Sequence, residues 1–300
     1  QTSTQRRFVQ RYLDERGISM DLGTKVCSFL KSHGYKSHPP SKCLREIDVT
    51  AFKALPESIQ RELRCEVHGP QLLRHPLLSN IKDGDQETLQ KICAHAMDEV
   101  YLVPGNTLFT RDQTAYWMFV LTKGTAIYTS GAKGLNQLRV DPHHFLAEAA
   151  LWMSWTYKGK LKATDTCDFA ALRSEGLQEA VISSRSQGLC RRYAQHFAQA
   201  MHDRYEEGRE LDDLWIGMKA ADTMLARARF EQSLSSKPSK QVRFAEITPT
   251  PEGQSSAESS PHAAVGPQVP QHGNVSYYQF WLTLALPKKI FEKCRTLVSP

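Results

Sequence analysis

The sequence predicts an α+β protein in which helices surround a small β-roll and a disordered tail follows. Three patterns support this fold class. Apolar residues recur at three- and four-residue spacing before residue 100 and again after residue 172, as they do on amphipathic helices. Between those positions, short β-type runs alternate with glycine turns. Residues 233–273 are rich in Ser, Pro, Gln and Gly, so they cannot bury enough apolar area to offset the entropy of ordering them.

The composition is typical of a cytosolic protein with reduced thiols. The 300 residues include 38 Lys and Arg and 32 Asp and Glu, and the formal charge of +6 is too small to predict nucleic-acid binding. The seven cysteines are odd in number and lack the spacing of a zinc site or a disulfide framework: Cys27, Cys43, Cys65, Cys93, Cys167, Cys190 and Cys294. No apolar run approaches the roughly 20 residues of a membrane span. Because the sequence opens on Gln1 without a signal sequence, we expect a processed chain or a fragment of a longer one.

The N-terminal segment, residues 6–33, predicts two helices. Gly17 interrupts the helical pattern, and Ser19 is placed to cap the second helix. That helix carries one apolar stripe, formed by Leu22, Val26, Phe29 and Leu30. We therefore expect it to pack against another element.

Residues 48–99 predict further short amphipathic helices. One is marked by Val49, Phe52 and Leu55. The next begins after Pro56 and is expected to end at Gly69-Pro70. After an apolar cluster around Pro76, Asp85 is placed to cap a helix. The inward side of that helix is formed by Leu89, Ile92, Cys93 and Ala96.

From residue 100 onward, the spacing of apolar residues changes from the helical period to that of short strands. The Lys123-Gly124 turn joins residues 116–121 to residues 125–128, which predicts a hairpin. Residues 131–144 predict a loop. The remaining predicted strands are short runs at residues 100–103, 107–109, 160–166 and 169–172.

Several motifs follow one another in a specific order. They are Leu55-Pro56-x-x-Ile59-x-x-Glu62-Leu63, His75-Pro76-Leu77, Leu89-x-x-Ile92, residues 99–109 around Pro104-Gly105, Met118-Phe119-Val120-Leu121-x-x-Gly124, and Leu146-Ala147-Glu148-Ala149-Ala150-Leu151. This order resembles a cyclic-nucleotide-binding homology domain preceded by a helical C-linker, as in voltage-gated potassium and cyclic-nucleotide-gated channels. The resemblance covers roughly residues 6–192.

The resemblance implies a division of the chain into five parts. These are a helical C-linker-like region (1–82), a cyclic-nucleotide-binding-like domain (83–192), a C-terminal helix (193–232), a disordered linker (233–273) and a short amphipathic terminal segment (274–300). The C-terminal helix carries an apolar stripe that we expect to continue through Tyr193, Phe197, Met201, Leu211, Leu214, Trp215 and Met218. In the resembled family, a helix here covers the pocket and transmits its occupancy.

The resemblance also implies a pocket that captures an anion. In the family, backbone N–H groups at the start of a short helix hold the cyclic phosphate, and a carboxylate that matches Glu148 binds the ribose hydroxyl. An arginine should pair with the phosphate near the start of the strand at Lys160. This chain has Thr156-Tyr157-Lys158-Gly159 there, and Ala147 where the family prefers glycine. The candidate pocket residues are Ala147, Glu148, Ala149, Lys158 and Lys160.

These departures weaken the prediction of a nucleotide ligand. The ammonium of Lys158 or Lys160 does not reproduce a guanidinium fork, and the methyl group of Ala147 crowds a close backbone approach. Binding of cAMP or cGMP is therefore possible but disfavoured, and we expect no cofactor. Glu148 could instead be a solvated loop carboxylate or the partner of a helix end. Trp152 and Trp155 could fill the pocket or pack the roll against a neighbouring helix.

Two features of the tail predict partners. Lys240, Val242 and Phe244 resemble the docking peptide of a type-one protein phosphatase, which binds as an added edge strand. Residues 275–298 are aromatic and adjoin lysines, which suits an interfacial or partner-binding helix, or a helix that docks on this protein.

Catalysis is not expected. His143-His144 lacks a matched third metal ligand, and no catalytic motif occurs. The first hypothesis is a regulatory region at the cytosolic face of a membrane, in a voltage-gated potassium or cyclic-nucleotide-gated type channel that assembles as a tetramer. The alternative is a soluble cAMP- or cGMP-binding subunit resembling a protein-kinase regulatory subunit. That class usually carries two tandem domains, whereas one is recognisable here.

Overall fold

The computed structural model describes residues 2–32, 46, 49–131, 136–214 and 216–235. The predicted docking residues Lys240, Val242 and Phe244 lie outside the described residues, as do the linker beyond residue 235 and the terminal segment. Within the described part, helices precede and follow two antiparallel sheets. The predicted fold class, α+β with a helical region and a β-roll, is confirmed.

The helices before the sheets are α1 (Thr2–Glu15), α2 (Met20–Ser32), a 3₁₀ helix (Thr50–Ala54), α3 (Glu57–Leu72), α4 (Pro76–Gly84) and α5 (Gln86–His95). Gly17 separates α1 from α2 with a φ of 63°, and the Ser19 hydroxyl accepts a hydrogen bond from Leu22 N at 3.4 Å. The predicted break and cap are therefore confirmed. The first helices enclose a small apolar core of their own, which includes Val9, Tyr12, Leu13, Leu22, Val26, Phe52, Leu55 and Leu63.

Helix α3 begins as predicted but ends later. Pro56 is its N-cap residue, and the predicted end at Gly69-Pro70 is wrong because the helix runs to Leu72. Pro70 lacks a backbone donor and so removes one helical bond. Leu73 N nevertheless bonds the carbonyl of Gly69 at 2.9 Å, and Leu72 is fully buried. Apolar burial in the last turn offsets the single missing bond.

Helix α5 is capped by Asp85, as the sequence predicts. The carboxylate accepts from Thr88 N at 3.3 Å. It also accepts from the Ser186 hydroxyl at 3.2 Å, so the same side chain joins the start of α5 to the helices that follow the roll. The predicted inward residues of α5 are buried, among them Leu89, Ile92 and Cys93.

The β-roll consists of β1 (Met97–Leu102), β2 (Thr107–Phe109), β3 (Thr114–Ala115), β4 (Trp117–Lys123), β5 (Ala126–Ser130), β6 (Asn136–Val140), β7 (Phe145–Leu146), β8 (Trp155–Thr156), β9 (Lys160–Ala163) and β10 (Cys167–Arg173). One sheet has the order β1-β10-β4-β7 and the other β2-β9-β5-β6, with β3 and β8 paired separately. All of these pairings are antiparallel. The inner faces of the sheets form the main apolar core together with helices that precede and follow them.

The predicted hairpin of residues 116–121 with 125–128 is wrong. β4 pairs with β10 and β7, whereas β5 pairs with β6 and β9 in the other sheet. Gly124, which lies between them, has a φ of 89°, and a Cβ atom there would lie 2.3 Å from the carbonyl oxygen of Thr166. The glycine thus lets the chain cross from one sheet to the other where a side chain has no room.

The predicted loop at residues 131–144 contains a strand that the sequence analysis missed. Strand β6 pairs along β5 from Asn136 to Val140, yet all its residues except Val140 are exposed. Leu138 and Val140 are its two apolar residues, and Leu138 is 47% exposed, so the alternation is too short to be recognised as a strand signal. Backbone pairing at the sheet edge defines this strand instead.

The helices within and after the roll are α6 (Ala149–Trp152), α7 (Ser174–Ile182), α8 (Gln187–Glu206) and α9 (Met218–Ser235). The helical stripe predicted to continue through Leu211 and Leu214 is wrong. Between α8 and α9 the described residues are not helical, and we call residues 209–214 and 216–217 the strap. Gly208, with a φ of 71°, precedes the strap, and Gly217, with a φ of 96°, is its last residue. Leu214 forms an isolated antiparallel bridge with Leu146, which draws the strap onto the roll.

Polar contacts join the first helices to the roll. Arg16, which follows α1, places a guanidinium nitrogen 2.7 Å from the carboxylate of Glu99 on β1. Arg64 on α3 donates to the backbone carbonyl of Ala94 on α5. No helix in the described part of the chain has both the length and the hydrophobicity of a membrane span.

Candidate functional site

The site is built around the predicted cassette, which links β7 to α6 through Ala147 and Glu148. Ala147 adopts a left-handed conformation with a φ of 58°, which is unfavourable for a residue with a Cβ atom. Its backbone N–H donates to the carbonyl oxygen of Asp213 on the strap at 2.6 Å. Ala149, the first residue of α6, is buried beside it. The cassette therefore contacts a segment of the same chain.

The side chain of Asp213 enters the roll and is 1% exposed. One carboxylate oxygen accepts from the backbone N–H groups of Lys158 at 2.8 Å and Gly159 at 2.9 Å, and from the Tyr128 hydroxyl at 2.8 Å. The other oxygen accepts from the indole N–H of Trp155 at 2.8 Å. We call these four donors the Asp213 cradle. Several hydrogen-bond donors that converge on one point are the arrangement that suits a bound anion.

Glycine is required at position 159 of the cradle. A Cβ atom on Gly159 would lie 2.5 Å from the ring of Tyr128 and 2.6 Å from the carbonyl oxygen of Thr129. The absence of a side chain lets this turn approach β5 closely. The backbone N–H of Gly159 and the hydroxyl of Tyr128 can then bind the same carboxylate oxygen.

The electrostatics of the cradle reflect two opposing effects. Burial raises the pKa of Asp213, while hydrogen bonds from Trp155, Tyr128 and the backbone of Gly159 and Lys158 oppose that rise, and the net direction is upward. The pKa of Tyr128 is also raised, first by burial and then by the charge of Asp213. The tyrosine therefore stays protonated and remains a donor.

The predicted ribose-binding carboxylate, Glu148, has a different set of partners. It is 2% exposed, so it is not solvated. One of its oxygens lies 3.1 Å from His75 Nε2 and accepts from Trp152 Nε1 at 3.2 Å and from the Tyr193 hydroxyl at 2.9 Å. Burial raises the pKa of Glu148, but the charge and hydrogen bond of His75 and the bonds from Trp152 and Tyr193 outweigh it and lower the pKa. Glu148 thus joins α4, α6 and α8.

The two predicted lysines do not bring their ammonium groups to the cradle. Lys158 Nζ lies 3.2 Å from the Thr156 hydroxyl and 4.9 Å from the ring centroid of Trp155, so Lys158 serves the cradle through its backbone N–H. Lys160 is exposed on β9. The place expected for an arginine fork is therefore a backbone turn that binds Asp213.

Trp152 and Trp155 answer the question left open by the sequence in two different ways. Trp152 packs toward α8 at a ring distance of 5.5 Å from Tyr193 and bonds Glu148. Trp155 bonds Asp213 inside the roll. One tryptophan contacts the neighbouring helix, and the other belongs to the Asp213 cradle.

Sequence reasoning missed Asp213 as a site residue, along with Tyr128, His75 and Tyr193. Asp213 lies within a run of apolar residues at helical spacing, which hid it. The available signal was the pair of glycines, Gly208 and Gly217, that interrupts that run.

Comparisons with known proteins give structural similarity alone. No family profile and no curated protein matches the sequence. A cyclic nucleotide-binding-like protein from Brucella abortus is 20% identical over 38% of this chain and 97% of its own, with a TM-score of 0.33. The sensor domain of the transcriptional regulator DNR from Pseudomonas aeruginosa is 19% identical over 49% of this chain and 95% of its own, with a TM-score of 0.39.

A third similar structure is the regulatory subunit of a cAMP-independent protein kinase A from Trypanosoma brucei. It is 13% identical over 44% of this chain and 47% of its own, with a TM-score of 0.36. Each structure is similar to part of this chain, and what the chain binds depends on its own residues.

Proposed function

We propose that this chain is a regulatory, non-catalytic region of the cyclic-nucleotide-binding type that carries its own anionic ligand, the side chain of Asp213. We further propose that it belongs to the cytosolic part of a voltage-gated potassium or cyclic-nucleotide-gated type channel. The observation that supports the first statement is the binding of the buried Asp213 carboxylate by four donors. Two of these donors are backbone N–H groups of residues 156–159, where the resembled family would bind a phosphate.

An internal anion disfavours a free one. Asp213 is tethered to the roll through the strap, and an attached ligand acts at an effective concentration in the millimolar range, in order of magnitude. A cyclic nucleotide would have to displace it without the arginine that the resembled family places near the start of the strand at Lys160. The pocket therefore favours the self-bound state.

The strap offers a route from the pocket to the helices that precede the roll. It continues into α9, which packs against α8 and α4. The N-cap residue of α4 is His75, which contacts Glu148 beside the cassette. Release of Asp213 would change the packing of α9 against α4, and an effector that favours either state would shift the equilibrium between them.

The self-ligand proposal is tested by calorimetric titration of the full chain with cAMP and with cGMP. We expect no saturable binding below the millimolar range, either in the wild type or in the Asp212→Ala control. Micromolar binding to the wild type would overturn the proposal and favour the soluble regulatory subunit.

A second measurement observes the cradle directly. The amide protons of Lys158 and Gly159 should be protected from hydrogen exchange in the wild type and in Asp212→Ala, and should exchange faster in Asp213→Ala. Equal protection in Asp213→Ala would show that the carboxylate does not hold these groups.

The channel assignment has a separate test. The sequence of the full-length transcript should contain six hydrophobic spans, an arginine-rich fourth span and a pore loop upstream of this region. A hydrophilic upstream region would overturn the channel assignment and leave the self-ligand proposal unaffected. Tetramer assembly and phosphatase docking through Lys240, Val242 and Phe244 stay predictions.

A further inference from the structure

Two cysteines lie on the facing sides of α3 and α5. Cys93 on α5 is fully buried in the main apolar core. Cys65 on α3 is partly buried and packs against that same core. Both are free thiols, and their helices pack along one another. The pair therefore lies between an early helix and a helix that supports the roll.

The residues next to the cysteines fix how the two helices meet. Arg64, which precedes Cys65, donates from its guanidinium group to the carbonyl of Ala94, which follows Cys93. The same guanidinium is held by the carboxylate of Glu46, whose oxygen lies 2.9 Å from Arg64 Nε. This bonding holds α3 against α5 one residue away from each of the two cysteines.

The two thiols are chemically different. Cys65 shares a side-chain hydrogen bond with Cys93, and this bond, aided by Arg61, lowers the pKa of Cys65 against the opposing effects of burial and Glu62. The same bond and burial raise the pKa of Cys93. Cys65 is partly exposed whereas Cys93 is fully buried, so an oxidant that arrives from solvent reaches Cys65 first. A thiolate is the form that attacks an oxidant, so Cys65 is the nucleophile and Cys93 the second thiol.

We propose that Cys65 and Cys93 form a peroxide-sensitive thiol pair that closes into a disulfide between α3 and α5. The Cys65 thiolate attacks one oxygen of hydrogen peroxide, the O–O bond breaks, and the leaving hydroxide takes up a proton as water. Cys65 is then a sulfenic acid. The sulfur of Cys93 attacks the sulfur of Cys65, the S–O bond breaks, and the thiol proton of Cys93 leaves with the hydroxyl as a second water. The two sulfurs lose two electrons, and the peroxide gains them.

Closure of the disulfide would hold α3 against α5 covalently. Since α3 is flanked by the first helices and α5 leads directly into β1, this bond would restrict the movement of the helical region relative to the roll. The thiol pair and the Asp213 cradle have no residue in common. An experiment that contradicts the thiol-pair proposal therefore leaves the self-ligand proposal unaffected.

The test uses the full chain, treated with hydrogen peroxide and digested with trypsin without reduction. Cleavage after Arg64 and Lys91 separates the two thiols into peptides 65–74 and 92–111, each with one cysteine. We expect these two peptides to be joined, with loss of the mass of two hydrogen atoms, and to separate on reduction. Linkage of either cysteine mainly to Cys27, Cys43 or Cys294 would overturn the proposal.

Three variants complete the test. In Cys93→Ser we expect Cys65 to accumulate as a sulfenic acid that dimedone traps, and in Cys65→Ser we expect Cys93 to stay unmodified. The control Cys190→Ser replaces a buried thiol of α8 and should keep the 65–93 linkage. Dimedone labelling of Cys93 instead of Cys65, or a folded wild type that only overoxidises at Cys65, would contradict the assigned order. Because the wild-type linkage is measured directly, a variant that fails to fold leaves the test decisive.

Discussion

The two buried carboxylates of the roll, Glu148 and Asp213, lie close in the structure but are bound in different ways. Glu148 contacts the side chains of His75, Trp152 and Tyr193, which come from separate helical elements. Asp213 is bound by two backbone N–H groups of one turn and by two side-chain donors. Glu148 therefore connects helices, whereas Asp213 fills an anion cradle.

The difference shows that two neighbouring buried carboxylates have separate sets of partners. Glu148, which the resemblance predicts as a ligand-binding carboxylate, makes its hydrogen bonds with His75, Trp152 and Tyr193. The anion comes from the strap instead. Consistent with this difference, the pKa of Glu148 is lowered and that of Asp213 is raised.

The largest expected effect comes from removing the anion of the cradle. Asp213→Ala leaves four buried donors without their acceptor, and we expect it to lower the free energy of unfolding by about 3–5 kcal/mol. Chemical denaturation measures this change. The matched control is Asp212→Ala, whose carboxylate accepts from Leu214 N at 2.9 Å and is partly exposed, and which should cost about 1 kcal/mol or less. An equal loss of unfolding free energy in the two variants would show that the cradle hydrogen bonds of Asp213 stabilise the fold no more than the partly exposed Asp212 does.

A smaller effect is the pH dependence of folding stability, which should differ in sign between the two carboxylates. Because the pKa of Glu148 is lowered, its contribution to stability is present above the ordinary carboxyl pKa of about 4.3 and is lost as the pH falls. Because the pKa of Asp213 is raised, its titration favours the folded state at low pH, and that contribution is lost as the pH rises through the raised pKa.

The test compares Glu148→Gln and Asp213→Asn with the wild type by urea denaturation between about pH 3.5 and pH 7. The stability difference between wild type and Glu148→Gln should shrink as the pH falls. The difference for Asp213→Asn should shrink as the pH rises. Slopes of the same sign for both variants would contradict the contrast between the two sites.

The smallest effect concerns Ala147, which precedes Glu148 and bonds the backbone of Asp213. Ala147 has a φ of 58°, where glycine is favoured, so Ala147→Gly should raise the free energy of unfolding by about 0.5–1 kcal/mol. Ala150→Gly, in the buried turn of α6, should lower it by about 1 kcal/mol or more. Thermal unfolding checks both variants. Destabilisation by Ala147→Gly would mean that the methyl group packs well enough to outweigh the backbone strain.

The sequence predicted the architecture well where local signals were strong. Gly17, Ser19, Pro56 and Asp85 mark helix boundaries because each affects its own backbone directly. The strand pairing of β4 and β5 was wrong, since a Gly turn between two apolar runs fits a hairpin and a crossover equally well. The strand pairing of the folded chain distinguishes them, because β4 pairs with β10 and β7 whereas β5 pairs with β6 and β9.

By itself, the sequence determined the helices, the β-roll and a cassette that keeps Glu148 but lacks both its glycine and its arginine. The tertiary structure decided what each carboxylate does. The donors of Asp213 are far from it in the chain, and two of the four are backbone N–H groups, which leave no trace in residue type. The partners of Glu148 likewise come together only when α4, α6 and α8 pack on the roll, because long-range burial selects them and local propensity does not.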